Sequence, residues 1–144
     1  MNRRELLLGG IALAGAAVVG RAQAAGHEHH HHVSSLNTGL SAAAADCIQK
    51  GELCLSHCLD LLAQGEKEMA ACAKSVNQVL AVCGALQQLV NQNSAYTAKL
   101  AGIAMDVCKQ CEDECMKHAD KHQECKACGE SCAACYKECQ ATAI

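Results

Sequence analysis

Thirteen of the 144 residues are cysteine, and they recur at the period of a helix. In CKACGESCAACYKEC, Cys125, Cys128, Cys132, Cys135 and Cys139 stand three, four, three and four residues apart, the spacing that keeps side chains on one helical face. Upstream, Cys108, Cys111 and Cys115 form a second such row that continues into His118 and His122. Cys72 and Cys83 share a face with Met69, Val76, Val79 and Leu86. Cys47, Cys54 and Cys58 make the fourth row, with His57 beside its end. Rows of inward-facing thiols have three uses: disulfides, small apolar packing, or ligation of soft metal ions.

Helix geometry separates these uses. Cβ atoms at i, i+4 are about 5–6 Å apart, whereas a disulfide needs about 3.8 Å. An oxidising compartment and a small domain favour bridges, but the odd count and the intrahelical spacing make a mainly disulfide-bonded scaffold the weaker reading. Packing as small hydrophobes accounts for a few cysteines, not thirteen. Covalent haem needs C-x-x-C-H, which is absent, and the bacterial iron–sulfur run closes on Cys-Pro in a chain that has no proline. Zinc in a four-cysteine layer stays geometrically possible. Cu(I) fits the rows best: soft thiolate and thioether donors select it, two or three sulfurs satisfy it, and one proton lost per thiol balances one Cu⁺. With every thiolate bridging two ions and every ion taking two thiolates, capacity approaches ~13 Cu(I) per chain, the scale of storage.

Such rows require elements that face one another. Gly65 caps a first helical run, Asn91-Gln92-Asn93-Ser94 is a polar break whose serine caps the next, and Asp120 in HADKH is the third and weakest signal. The breaks predict helices over 36–64, 66–90, 94–119 and 121–141, joined by short connections into an all-α, antiparallel up-down four-helix bundle with a cysteine-lined core. The rival is one long helix over 94–141. Leu40, Ile48, Leu55, Leu62, Leu80, Leu86, Leu89, Leu100 and Ile103 add apolar contacts. Counted from the turns, Cys58, Cys72, Cys115 and Cys125 fall at one level. Cys54, Cys111 and Cys128 follow, then Cys108 and Cys132, then Cys47, Cys83, Cys135 and Cys139.

The remainder bounds the function. Arg3 and Arg4 precede an apolar run too short to span a bilayer, and Ala22-Gln23-Ala24 forms a cleavage site. MNRRELLLGG resembles a twin-arginine signal, which exports folded proteins. The domain reading is a signal over 1–24, a disordered His-rich tail with weak metal affinity over 25–35, and the bundle over 36–144. It predicts a periplasmic protein, free of the membrane once the signal is removed. From Ala25 onward there are nine lysines, no arginine and fourteen acidic residues, a formal charge of −5, which argues against nucleic-acid binding. No Gly-rich phosphate loop or Ser/His/Asp arrangement suggests an enzyme.

HADKHQECKACGESCAACYKEC, with CKQCEDEC before it, closely resembles the copper storage proteins, also called four-helix-bundle copper-binding proteins, over about 36–141. The resemblance implies a homotetramer of bundles, each holding many Cu(I) ions by cysteine along its core. It also implies His and Met residues at an open mouth, here His57, Met69, His118 and His122, and a copper enzyme or a chaperone as partner. A single-ion copper chaperone and a zinc-binding or disulfide-stabilised helical scaffold are the alternatives.

Overall fold

A computed structural model describes residues 35–143. The signal-like segment, the histidines of the tail and Ile144 lie outside the described residues. Four helices account for the rest: α1 Ser35–Ala63, α2 Met69–Asn91, α3 Thr97–Met116 and α4 Gln123–Thr142. Alanine-rich sequence without proline favours them. Each begins and ends near its predicted bounds. The later starts of α2 and α3 reflect first turns closed by i→i−3 bonds, Met69 N–H to the Glu66 carbonyl at 3.2 Å and Thr97 N–H to that of Ser94 at 3.1 Å.

The stops follow backbone chemistry. Gly65 has φ +96°, a conformation costly for a residue with a β-carbon. Its N–H donates to Leu62 O and that of Glu66 to Leu61 O, both at 3.0 Å, which is a Schellman closure. Asn93, at φ 50°, ends α2 in the same way: its N–H reaches Val90 O and that of Ser94 reaches Leu89 O, each at 3.0 Å. Ser94 does not cap α3 as expected: that position is Tyr96, with no side-chain cap bond, and Ser94 Oγ instead accepts from Tyr96 N–H at 3.3 Å within the preceding turn. Asp120 does not cap α4. That position is His122, in extended backbone with no side-chain cap bond. The turn closes on the His118 carbonyl, which accepts from Lys121 N–H at 3.1 Å and His122 N–H at 3.0 Å. This break rules out the single helix over 94–141.

Each helix packs on two neighbours, α1 and α3 each lying between α2 and α4. Directions follow from which residues meet. Cys47 meets Cys132, Cys54 meets Cys125 and His57 meets His122, so α1 and α4 are antiparallel. Cys72 meets Cys115 and Cys83 meets Cys108, giving the same sense for α2 and α3. Between α1 and α2, Ser41 Oγ donates to Asn91 Oδ1 at 2.7 Å, while Gly51 admits Leu80 so closely that a β-carbon would lie 2.9 Å from its methyl group. Met116 packs its thioether over Gly129 at the start of the α3–α4 hairpin.

The core has two unlike parts. Leu40, Ala44, Leu86, Val90, Ala101 and Ala104 close one end, all buried. The rest, toward Gly65, is mostly sulfur, with Leu61, Ala73, Val76 and Val79 packed beside it. Ile103, predicted to pack inward, is instead 54% exposed. It lies one residue off the Ala101–Ala104–Cys108 stripe that α3 turns to the core, and small alanines there let the helices close up.

Candidate metal centre

Every one of the thirteen thiols is free and has no solvent exposure. The helical period has put each of them inside. Their sulfurs gather in four groups whose members all lie within 4.8 Å of one another. Cys54, Cys58, Cys72 and Cys125 form an outer cage near the turns, and Cys47, Cys83, Cys108 and Cys135 an inner one. Between them come two three-thiol groups, Cys54 with Cys115 and Cys128, and Cys111 with Cys128 and Cys132. Cys139 lies beyond the inner cage, 4.0 Å from Cys135 Sγ. The nearest sulfur pairs are Cys72–Cys115 at 3.4 Å and Cys47–Cys132 at 3.5 Å, and the others reach 3.8–4.0 Å. Sulfurs about 2.3 Å from a shared tetrahedral ion sit about 3.8 Å apart, so these spacings suit thiols that share ions.

The predicted levels hold only in part. Cys58, Cys72 and Cys125 do gather, but with Cys54 in place of Cys115. Counting from Gly65 and Asp120 treated the two turns as level, and they are not. The three α1–α4 contacts put Cys58 opposite the 117–122 turn, so the Gly65 hairpin runs about seven residues, roughly 10 Å, past it. Cys128 meets both Cys54 and Cys111 as expected, but in two groups, one completed by Cys115 and the other by Cys132. Cys108 belongs to the inner cage.

Neighbouring sulfurs also set which thiols ionise. Hydrogen bonds with Cys108 and Cys132 draw Cys47 down to about 5, and Cys115 draws Cys72 down to about 4. Cys128 is lowered chiefly by Cys111, and Cys135 chiefly by Cys108. Their partners keep the protons: Cys54 is raised chiefly through Cys115, Cys83 through Cys108, Cys115 through Cys111 and Cys132 through Cys108. Each of the four groups therefore holds at least one thiol whose proton is loosened and at least one whose proton is held more tightly.

Beside the 117–122 turn, three histidines converge. His57 and His122 share a hydrogen bond of 2.9 Å between Nε2 and Nδ1, and the His118 ring is centred 6.5 Å from that of His122. Glu124 Oε2, which sequence reasoning missed, lies 3.7 Å from His57 Nε2. Its one sequence signal was its place two residues past His122, in the first turn of the last helix. Met69 is wholly buried at the start of α2, three residues before Cys72. Met105 is partly buried against the core.

A family model described as copper storage protein matches residues 34–144. The cysteine-rich protein YhjQ of Bacillus subtilis, described as uncharacterized, is 25% identical over 101 residues, covering 70% of this chain and 90% of that protein. Among solved structures, the Cu(I)-bound copper storage protein BsCsp3 of Bacillus subtilis aligns at a TM-score of 0.69 and 23% identity, covering 76% of this chain and 99% of that one. That match speaks to the fold. The copper storage protein Ccsp of Streptomyces lividans, loaded with 10 copper equivalents, gives 0.66 at 26% identity, covering 74% of this chain and 83% of that one.

The expectation of a periplasmic protein is overturned by these comparisons, because the Streptomyces lividans protein is described as a cytosolic copper storage protein. The physical reason lies in the sulfur: a reducing compartment is what keeps many thiols free. Residues 1–24, on which the export reading stood, lie outside the described residues. The family match spans the whole bundle and every cysteine in it, and the chain belongs to the copper storage protein family.

Proposed function

We propose that this chain stores Cu(I), many ions at a time, on the thiols of its bundle core, and that it acts by holding ions rather than by turning over a substrate. The observation that carries this is the set of four adjoining all-sulfur groups, completely buried, with no charged side chain buried beside them among the described residues. The buried polar side chains among the described residues are Ser75, Thr97 and Ser131, and the two serines donate to the carbonyls of Cys72 and Cys128. A divalent ion on four thiolates would leave two net negative charges in a dry core, a costly state. One Cu⁺ per thiolate leaves none. A single-ion chaperone would present an exposed site, and here every cysteine sulfur is buried.

His57, His118 and His122 serve as the entrance, with the Met69 thioether behind them. Their convergence at the stepped end, outside the sulfur groups, supports this role. Anaerobic loading of reduced protein with Cu(I) in the presence of equimolar Zn(II) tests the choice of ion. Copper retained after gel filtration should exceed zinc at least tenfold, whereas comparable zinc would favour a zinc scaffold. In the same assay, replacing all three histidines by alanine should slow loading and leave the final copper count intact. A count halved at an unchanged rate would make them storage ligands.

A further inference from the structure

The four sulfur groups are not separate compartments. Cys54 belongs both to the outer cage and to the first three-thiol group, and Cys128 belongs to both three-thiol groups. The second of these ends on Cys132, whose sulfur lies 3.5 Å from that of Cys47 in the inner cage. Every step along the core is therefore within reach of a thiol that already touches the group before it. Among the described residues, the far end is closed by Leu40, Leu86 and Val90, all buried.

The middle of this path also differs from its ends. Between Cys72 and Cys83, α2 turns Val76 and Val79 inward, both wholly buried. The mid-section thus draws its sulfurs from α1, α3 and α4 only, and holds three thiols per group where each cage holds four. Three sulfurs satisfy Cu(I) but give it fewer bonds to break on leaving.

We infer that Cys54 and Cys128 are transfer residues: they pass Cu(I) from the outer cage through the three-thiol mid-section to Cys132 and Cys47, and so fill the inner cage. This rests on the storage reading above. Each step is a ligand exchange without redox change. A Cu–S bond to the shared thiol is kept while a bond forms to one sulfur ahead and another breaks behind. The thiol gained gives up one proton and the sulfur vacated takes one up, so the charge of the core stays constant.

The test follows anaerobic transfer of Cu(I) from its bicinchoninate complex to reduced protein, with loss of colour read against time. Wild-type protein is run first, and uptake of only one to four ions there would overturn storage itself. Given storage, Cys54→Ala and Cys128→Ala should each split filling into a fast outer phase and an inner phase at least tenfold slower than in wild type. Cys139→Ala, which removes an equally buried thiol beyond the path, should lower capacity without a slow phase. Val76→Cys, which puts a thiol at a wholly buried position of the mid-section, should retain more copper and slow inner filling by adding a sulfur where transfer runs on three. Helical circular dichroism confirms that each variant is folded. Inner filling at the wild-type rate in folded Cys54→Ala and Cys128→Ala would overturn the proposal and mean that ions reach the inner cage by opening of the bundle.

Discussion

Reduced, copper-free protein is expected to show a strongly helical circular-dichroism spectrum that changes little on loading, with a melting temperature raised by more than 10 °C when full. Metal-dependent folds such as zinc fingers collapse when stripped, because binding supplies their folding energy. Here Leu40, Val76, Val79, Leu86 and Val90 are wholly buried and offer no donor to a metal, and each such side chain is worth roughly 1.5–3 kcal/mol. Neutral thiols pack as small hydrophobes, so the empty channel costs little while protonated. Ions that bind only the folded state add about 4 kcal/mol per site at a thousandfold excess over Kd, and each kcal/mol moves the midpoint of a domain this size by about 4 °C or more. A random-coil spectrum for the reduced apo-protein would point instead to a chain that wraps its metal.

Leu86→Ala is expected to destabilise the reduced apo-protein by about 2–5 kcal/mol, the range for a buried leucine whose cavity cannot fully collapse. Leu86 is wholly buried at the closed end, three residues beyond Cys83, and offers no donor atom. The copper count of the folded variant should therefore match wild type. Denaturant unfolding of the apo-protein gives the first quantity and metal analysis the second. A large loss of capacity with little loss of stability would mean that the closed end belongs to the store.

The element order was legible because the cysteines themselves carry the helical period, and Gly65 and the 91–94 stretch carry turn chemistry that the backbone uses. Which thiols face inward was readable for the same reason. Which thiols share a group was not, since that depends on the relative height of two hairpins, and no local signal fixes how far the Gly65 hairpin runs past the 117–122 turn. The stop before α4 was placed correctly but for the wrong residue: the His118 carbonyl closes that turn, where Asp120 had been expected to act through its side chain. Glu124 escaped notice because its relevance comes from His57 on another helix, 3.7 Å away. Ile103 read as core because an apolar residue near the stripe looks like part of it, whereas the helices close on Ala101 and Ala104.

The most direct test of storage is anaerobic titration of reduced protein with Cu(I) against a competing chelator, with copper and thiols counted in the same samples. Thirteen buried thiols that bridge ions predict uptake near ~13 Cu(I) per chain, with thiol reactivity lost in step and the helical spectrum kept throughout. Saturation at one to four ions, with most thiols still free to react, would contradict a store and leave a chaperone or a small structural metal site.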